Sequence, residues 1–578
     1  MEHKYSDEKN VQLVIGLLKA HGIRKIVASP GTTNITFIGS LMHDTFFQIY
    51  SSVDERSAAY IACGLAEAAN EPVVISCTGA TASRNYFPGL TEAYYRKLPV
   101  LAITSTREEY KIGHLIDQQI DRSQQPKDTV VCSEHLPLIK DDEDWWNCTI
   151  KVNRAILALK SHGGGPAHIN LPTHYSSDFS VEKLPDVRKI ERLFDYDKFP
   201  SIVKRTVAIF IGSHRKMTRQ ENNAIDSFCE AYNATVFCDI CSGYRGKYGV
   251  SMFGIENHLN VDLLVHIGEV SCVAYGCKPK EVWRVSEDGE LRDTFRSLTK
   301  VFAMPEKVFF EKMSQGKDRN LVSSFVACTE DQKKIYNKIL QLPFCNNWIA
   351  LNFHDKLPLN SVVHLGIVSS FFAWNRFKLD PSIDVTCNQG GFGIDGNVST
   401  ILGQALANPD RLHFLMIGDL AFFYDMNALG NRHFPKNIRI LLVNNGCGAI
   451  FRKASNIGSI FGKEADSYIS AGGHFGHQSP LLVKAYVTAL GFEYIPVCSK
   501  EDMIEVSAHF FDSSSFEHPM IIEAFVDVKD EILGEKLLKP SGLKGTINDI
   551  VGDNAYRIIG NILKGGKVNM NVDRSNNK

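Results

Sequence analysis

The 578-residue sequence lacks the features of several large classes of protein. It has no apolar run near the ~20 residues that a membrane-spanning helix needs. Its first ten residues are polar and charged, unlike the apolar core of a secretory signal. It also has no basic excess, because 63 Lys and Arg residues face 65 Asp and Glu residues. We therefore expect neither a membrane protein, a collagen-like fibre, a disordered chain, nor a protein whose main partner is nucleic acid.

Cysteine is thinly spread, with 14 residues along the chain. Cys238 and Cys241 form the only C-x-x-C pair, and no second pair lies at zinc-binding spacing. We therefore expect buried, reduced thiols in a cytoplasmic protein rather than a disulfide scaffold or a zinc site.

What the sequence does contain is an alternation of strand-length apolar runs and helix-like patterns. The runs predicted to be strands are 25–29, 73–77, 100–104, 207–211, 263–267, 362–365, 413–417, 438–443 and 520–524. Residues 5–21 and 57–69 carry apolar residues at three- and four-residue spacing, which is typical of helices. This rhythm predicts an α/β fold in which parallel sheets are flanked by helices.

The predicted domain boundaries come from two stretches interpreted as linkers, 179–200 and 341–357. The first mixes prolines with charged residues. They divide the chain into an N-terminal domain (1–185), a central α/β domain (195–342) and a C-terminal domain (346–563). The polar, basic and Asn-rich residues 564–578 are predicted to be a flexible tail.

Two turns in the third domain favour a cation and phosphate site. Residues 418–420 (Gly-Asp-Leu) and 444–448 (Asn-Asn-Gly-Cys-Gly) each follow a predicted strand. They should therefore lie at the carboxyl edge of a parallel sheet, where such folds bind ligands. Asp419 and Asn445 offer oxygen ligands that suit Mg²⁺, and the glycines let backbone N–H groups approach a diphosphate. Either turn alone is typical of ordinary turn chemistry, so the pair carries the argument.

Together these turns resemble the motif that binds thiamine diphosphate (ThDP) and Mg²⁺ in ThDP-dependent enzymes. Leu at the third position, with residues 422–429 and 448–451, is similar to one branch of them. That branch comprises the menaquinone-pathway 2-succinyl-5-enolpyruvyl-6-hydroxy-3-cyclohexene-1-carboxylate (SEPHCHC) synthases, or MenD enzymes. By this resemblance Asp419, Asn445 and the carbonyl of Cys447 would bind Mg²⁺, and a three-domain ThDP-enzyme architecture is expected.

The resemblance extends to other residues around the cofactor. Residues 388–396 (NQGGFGIDG) resemble the family's N-R-G-A-S-G-I-D-G, in which Ile394 would sit under the cofactor and brace its bent shape. An apolar residue there is also ordinary core material. The residues that the resemblance places at the cofactor are Glu55, Gly391, Phe392, Ile394, Leu420, Ala421, Asn445, Gly448, Ala449 and Ile450.

The segment 53–59 (VDERSAA) resembles the family's V-D-E-R-S-A, which makes Glu55 the activating glutamate. Its carboxylate would lie on N1′ of the cofactor's pyrimidine and favour the imino tautomer that removes the C2 proton. Taken alone, Glu55 is equally typical of a surface residue at a helix start capped by Asp54. In such families the glutamate and the metal motif come from different subunits, so a homodimer or homotetramer is implied, with the active site at the subunit interface.

The departures from the family concern arginines that pair with substrate carboxylates. The family's S-P-G-S-R is S-P-G-T-T at 29–33, and N-R-G-A is N-Q-G-G at 388–391. The preceding S-x-x-x-R stretch, at 368–374, also has no matching Arg. Arg84 stands where the family has a small residue, and it would either bind an acid group or be a surface or ion-pair arginine. The candidate substrate residues are Thr32, Thr33, Arg84, Arg107, Gln118, Gln389 and Phe451.

These observations predict a ThDP- and Mg²⁺-dependent enzyme that decarboxylates a 2-oxo acid and transfers the resulting acyl carbanion to an acceptor. The missing arginines favour a smaller 2-oxo acid than the family's dicarboxylate. The alternatives are SEPHCHC synthase itself, which uses 2-oxoglutarate and isochorismate, and simple 2-oxo acid decarboxylation. Outside this class, the alternative is a non-catalytic protein with a ThDP-enzyme fold and a binding role.

Overall fold

The computed structural model describes residues 4–203, 205–273, 276–336, 342–453, 456–473, 479–514 and 517–538. The chain divides into two compact units. The first comprises residues 1–197 together with 287–304, and the second comprises residues 198–286 together with 305–578. The predicted tail, 564–578, lies outside the described residues.

The described strands are short, and most of them are buried, as is typical of parallel sheets. In chain order they are β1 (Lys25–Ala28), β2 (Gln48–Ser51), β3 (Val73–Cys77), β4 (Val100–Thr106), β5 (Cys132–His135), β6 (Ala167–Pro172), β7 (Glu191–Leu193), β8 (Val207–Ile211), β9 (Thr235–Cys238), β10 (Gly249–Val250), β11 (Leu263–Ile267), β12 (Glu281–Val285), β13 (Leu298–Phe302), β14 (Val362–Leu365), β15 (Asp384–Cys387), β16 (His413–Gly418), β17 (Ile438–Asn444), β18 (Glu493–Val497) and β19 (Met520–Phe525).

The described α-helices connect these strands. In chain order they are α1 (Lys9–Ala20), α2 (Ile35–Leu41), α3 (Glu55–Ala69), α4 (Thr81–Asn85), α5 (Phe87–Tyr95), α6 (Asp142–Ala158), α7 (Arg219–Tyr232), α8 (Glu306–Ser314), α9 (Ser323–Tyr336), α10 (Asn346–Phe353), α11 (Ser369–Trp374), α12 (Asn397–Ala407), α13 (Asp419–Asp425), α14 (Ala465–Tyr468), α15 (Pro480–Ala489), α16 (Lys500–Phe510) and α17 (Val528–Leu537).

The first unit contains a six-stranded sheet in the order β2-β1-β3-β4-β6-β5, with parallel pairing throughout. β3 and β4 are buried along their whole length, and apolar residues predominate in both, as is typical of central strands in a parallel sheet. The helix α3 begins with a side-chain cap and buries a face of small residues, Ala58, Ala59, Ala62, Cys63 and Ala66. This unit also holds the parallel pair β7 and β13.

The second unit contains five parallel strands in the order β10-β9-β8-β11-β12 and a six-stranded parallel sheet in the order β15-β14-β16-β17-β19-β18. In the six-stranded sheet, β16 and β17 are neighbours, and Gly418 at the end of one pairs with Val443 near the end of the other. The turns that follow these two strands therefore leave the same edge of the sheet side by side.

The α/β fold with parallel sheets is confirmed, and all nine predicted strands are present with ends within two residues of the prediction. The first helix begins at Lys9 rather than at residue 5, because Tyr5 instead forms a bridge with Val181. Residues 341–357 were wrongly predicted to be a linker. They contain α10, whose Trp348 and Phe353 lie in the hydrophobic core of the second unit.

No described helix combines the length and the apolar character needed to cross a bilayer. The 14 cysteines are free thiols, and only Cys498 among them is exposed.

Candidate active site

The strongest feature of the second unit is Asp419, which bridges the two turns at the edge of the sheet. It begins α13 directly after β16. One carboxylate oxygen, Oδ1, accepts a hydrogen bond from the backbone N–H of Leu420 at 2.8 Å. The other, Oδ2, accepts one from the N–H of Gly446 at 2.7 Å. Asp419 therefore holds the Asn-Asn-Gly turn after β17 next to the Gly-Asp-Leu turn after β16, to which it belongs.

The electrostatics of Asp419 suit a cation site. The residue is 2 % exposed, and burial raises the pKa of its carboxyl to about 6 despite the opposing effect of backbone hydrogen bonds. Within the described ranges, no Lys, Arg or His forms an ion pair with it. A buried carboxylate without a cation is costly, and a divalent metal would supply the missing charge. The oxygen donors present, from Asp419, Asn445 and the Cys447 backbone, are those that Mg²⁺ prefers.

The two adjacent asparagines have different surroundings. Asn444 is buried, and its amide donates to Glu523 Oε1 at 2.8 Å, while the hydroxyl of Tyr494 donates to Oε2 at 2.8 Å. Asn445 is half-buried and lines a cavity. Asn444 thus anchors the turn to the sheet and leaves Asn445 facing the space beside Asp419. Gly446 has φ +77°, which favours glycine at the next position.

A cavity of about 630 Å³ in the second unit lies against these turns. It brings together most of the residues predicted at the cofactor, the three predicted at the metal and two of the seven substrate candidates. The predicted residues that line it are Gln389, Phe392, Ile394, Asp419, Leu420, Ala421, Asn445, Cys447, Gly448, Ala449, Ile450 and Phe451. Gly391 is exposed, and it is its neighbour Gly390 that contributes to the lining.

Other lining residues were not identified from the sequence. Cys272 and Asn346 come from segments without a recognisable motif, so sequence offered no signal for them. Ser369 and Phe372 lie in the stretch that aligns with the family's S-x-x-x-R, and that alignment is a signal that would have found them. No arginine or lysine is among the described residues that line the cavity.

A side-chain brace holds the loop around Gly448. The N–H of Gly448 donates to the carbonyl of Ser470 at 2.6 Å. The Ser470 hydroxyl donates to Asp466 Oδ1 at 2.8 Å, and Arg452 Nε donates to the same oxygen at 2.9 Å. A Cβ at position 448 would lie 3.1 Å from the Phe451 ring and 3.2 Å from the Ser470 carbonyl oxygen, so glycine fits best there. With this N–H already bound, a diphosphate would depend on other backbone N–H groups, such as those of Ala421 and Ala449.

Gln389, which lines the cavity, stands where the family has one of its arginines. Gln389 is buried, and its Nε2 donates to Asp239 Oδ2 at 3.3 Å, while its Oε1 accepts from the N–H of Cys272 at 3.2 Å. Its amide is thus held by the chain itself. Phe392 has φ +54° and is 53 % exposed, whereas Ile394 is half-buried and packs on the core beneath α12.

In the first unit, Glu55 is the first residue of α3 and follows β2 at the carboxyl edge of the sheet. The N-cap predicted for this helix is confirmed, since Asp54 Oδ1 accepts from the N–H groups of Arg56 and Ser57 at 2.8 and 3.2 Å. Glu55 is half-buried, and its Oε2 accepts from Asn85 Nδ2 at 3.4 Å. One carboxylate oxygen is thus positioned by the chain.

The remaining substrate candidates in the first unit differ in their surroundings. Arg107 donates to the Tyr175 hydroxyl at 2.7 Å and to both oxygens of Asp117 at 3.2 and 3.4 Å. Arg84 is exposed and lies 5.5 Å from the centre of the Phe87 ring. The other three differ in exposure: Thr32 and Gln118 are exposed, and Thr33 is buried.

Comparison with known proteins agrees with this geometry. A family model described as "Thiamine pyrophosphate enzyme, N-terminal TPP binding domain" matches residues 9–125. The chain is 33 % identical over 548 residues to the 2-succinyl-5-enolpyruvyl-6-hydroxy-3-cyclohexene-1-carboxylate synthase of Bacteroides thetaiotaomicron, which covers 90 % of this chain and 96 % of that protein. It is 31 % identical over 551 residues to the synthase of the same name from Bacteroides fragilis, covering 90 % and 97 %. A synthase of the same name from Desulfotalea psychrophila is 26 % identical over 544 residues.

The fold, the turn pair and these matches define a ThDP-dependent enzyme that forms carbon–carbon bonds, with ThDP and Mg²⁺ as cofactors. The chain belongs to the SEPHCHC synthase family, the MenD branch of these enzymes. The resemblance predicted from the motifs is therefore confirmed at the level of family, cofactor and reaction class.

Proposed function

We propose that the protein decarboxylates a small 2-oxo acid and joins the remaining acyl unit to an acceptor. The observation that carries this proposal is Asp419, a buried carboxylate that links both turns beside a cavity of about 630 Å³. The side-chain amide of Gln389 is held by Asp239 and Cys272 and carries no charge. Its presence in place of an arginine supports a 2-oxo acid substrate with a single carboxylate.

Each residue of the site has a role in this proposal. Asp419, Asn445 and the carbonyl of Cys447 would hold Mg²⁺, which in turn takes diphosphate oxygens. Glu55 would share a proton with the pyrimidine ring, and Ile394 would support the cofactor from below. When bound, ThDP supplies a centre that stabilises negative charge on the acyl carbon. The apolar cavity wall would exclude water, so that the acyl unit reaches an acceptor rather than a proton.

The second candidate is SEPHCHC synthase activity itself, in which 2-oxoglutarate is the donor and isochorismate the acceptor. It is favoured by the extent of the match, because the similarity covers 90 % of this chain and 96 % of the Bacteroides thetaiotaomicron synthase. Residues at other positions would then bind the substrate carboxylates in place of the missing arginines.

The deciding experiment is CO₂ release with ThDP and Mg²⁺ from pyruvate and from 2-oxoglutarate, each with and without isochorismate. Turnover of pyruvate but not of 2-oxoglutarate supports the proposal, and turnover of 2-oxoglutarate supports the second candidate. The Glu55→Gln variant should lose about 10²- to 10⁴-fold in kcat, the usual contribution of acid–base catalysis. Glu67→Gln, an exposed change on the same helix, is the matched control. Absence of turnover with every acid would contradict both candidates.

We further propose that the active protein is at least a homodimer, in which Glu55 of one subunit serves the metal site of another. Mixing Glu55→Gln subunits with Asp419→Asn subunits tests this directly. Random exchange should then restore about a quarter of the sites to wild-type composition. The mixture is assayed at a Mg²⁺ concentration at which neither variant alone is active. Recovery of activity then supports the shared site, and a mixture that stays inactive after confirmed exchange would contradict it.

A further inference from the structure

Arg122 is a buried arginine in the first unit whose guanidinium is mostly unpartnered. The residue is 2 % exposed, and its Nη2 donates to the carbonyl of Ser105 at 3.3 Å. Its Nε and Nη1 atoms are buried without a hydrogen-bond partner, and no carboxylate among the described residues forms an ion pair with it. Guanidinium groups carry five donors, so most of the hydrogen-bonding capacity of this one is unused.

The guanidinium lies at the ligand-binding edge of its sheet. Ser105 is near the end of β4, and Gly79 lies two residues after the end of β3. A Cβ on Gly79 would be 3.0 Å from Arg122 Nη2 and 3.2 Å from the Ser105 carbonyl oxygen, so the loop after β3 packs on the guanidinium. Glu55 follows β2 at the same edge, where parallel sheets bind their ligands.

Among the residues that the structure describes, no carboxylate is paired with Arg122 to balance its charge. Burial lowers the pKa of its guanidinium to about 10, so that it stays charged at neutral pH, and the nearby positive charge of Arg84 acts in the same direction. The Cys77 thiol is an acidic group close to Arg122, but burial raises the pKa of that thiol to about 12, so it is neutral near pH 7. A buried cation without a counter-ion destabilises a fold, and this one requires an explanation.

The position of Thr33 suggests what the missing anion is. The Thr33 hydroxyl donates to the Ser105 carbonyl at 3.1 Å, the same acceptor that Arg122 uses. The arginine of the family's S-P-G-S-R motif corresponds to Thr33 in this chain. This chain thus has no positive charge at position 33, but it has one on Arg122, which donates to the same carbonyl oxygen of Ser105 as Thr33 does.

We propose that Arg122 binds a carboxylate of the substrate and so replaces the arginine missing at position 33. The inference rests on the proposed function, since it concerns the substrate of that site. The carboxylate would bring the negative charge and the hydrogen-bond acceptors that Nε and Nη1 lack. It comes from either the donor 2-oxo acid or the acceptor.

Binding tests this independently of turnover. The full-length protein and its Arg122→Met variant are heated with ThDP and Mg²⁺, alone and with millimolar pyruvate, 2-oxoglutarate or isochorismate. The wild type should show a higher unfolding temperature with at least one acid, and the variant should lose that shift. Without acid the variant should be as stable as the wild type or more so, because it no longer buries an unpaired charge. No shift in the wild type, or equal shifts in both, would overturn the inference.

Kinetics identify the source of the carboxylate. Arg122→Met should raise KM about 10- to 100-fold for the acid concerned, with Arg122→Lys intermediate. A rise for pyruvate or 2-oxoglutarate in CO₂ release assigns the donor, and a rise for isochorismate in ligation assigns the acceptor. The control is Arg154→Met, which removes an arginine paired with Glu134 in the same unit. If the wild type is active and no KM changes, the inference fails while the proposed function stands.

Discussion

The Thr33 hydroxyl and the Arg122 guanidinium donate hydrogen bonds to one acceptor, the backbone carbonyl oxygen of Ser105, at 3.1 and 3.3 Å. A carbonyl oxygen has two lone pairs and accommodates both donors. Threonine at position 33 leaves room for the buried guanidinium of Arg122. An arginine at position 33 would bring a second positive charge to the carbonyl oxygen of Ser105.

This relationship predicts that arginine at position 33 and arginine at position 122 exclude each other. Thr33→Arg alone should destabilise the protein by roughly 1–3 kcal/mol, because it overpacks a buried site and places like charges together. It should also raise KM for the acid. The double variant Thr33→Arg/Arg122→Met should recover much of both losses, as read by thermal unfolding and CO₂-release kinetics. Additive effects of the two substitutions would argue against a shared site.

The two aspartates of α13 should separate metal binding from folding. Asp419→Asn is expected to raise the Mg²⁺ concentration for half-maximal activity by about 100-fold or more, because it removes the one carboxylate of the donor set. Asp425, six residues later, accepts from the Ser399 N–H at 2.6 Å and its hydroxyl at 2.7 Å. Asp425→Asn should therefore lower the unfolding free energy by about 1–3 kcal/mol and leave the Mg²⁺ requirement unchanged. Mg²⁺ titrations and urea unfolding of both variants measure these effects, and equal Mg²⁺ requirements would contradict the assignment of Asp419.

The brace behind Gly448 should affect cofactor affinity more than turnover. Asp466→Asn weakens the hydrogen bonds from Ser470 and Arg452 that hold the loop. We expect the ThDP concentration for half-maximal activity to rise several-fold at nearly unchanged kcat, since the loop is proposed to hold the diphosphate rather than the reacting atoms. Titration of ThDP into the apoprotein checks this, with the exposed Asp410→Asn as control. A fall in kcat at unchanged ThDP affinity would contradict this role.

The parts of this protein that sequence could predict are those governed by local pattern. The strands β16 and β17 consist mainly of apolar residues. The turns after them carry polar residues that few other contexts place together, so the sequence predicts the sheet edge that holds Asp419 and Asn445. Cys272 and Gln389 meet in the second unit although 117 positions separate them. No local pattern encodes such a contact. Arg122 was missed for the same reason, because burial and missing partners are properties of the folded chain. The sequence wrongly predicts a linker at α10, because polar residues flank the apolar residues Trp348 and Phe353 that the fold buries.

The buried histidine of β6 makes the first unit sensitive to acid. His168 is 1 % exposed, with Nε2 at 2.7 Å from the Thr104 hydroxyl and Nδ1 at 3.2 Å from that of Ser133. Burial, and to a lesser extent the positive charge of Arg122, lowers the pKa of His168 to about 3. An unfolded histidine has a pKa of about 6.5, so between these values the unfolded chain takes up a proton that the folded chain refuses.

The unfolding free energy should therefore fall as the pH drops below about 6.5, and this single group contributes about 2 kcal/mol of loss by pH 5. His168→Gln keeps a polar side chain at the site but does not titrate, so its loss of stability between pH 7 and pH 5 should be smaller by that amount. Hydrogen exchange of peptides covering β4 and β6 at the two pH values measures the effect in this unit, after correction for the intrinsic exchange rate. His43→Gln, at an exposed position, should retain the wild-type pH dependence. An identical pH dependence for His168→Gln and the wild type would show that His168 is not the group that makes the unit acid-sensitive.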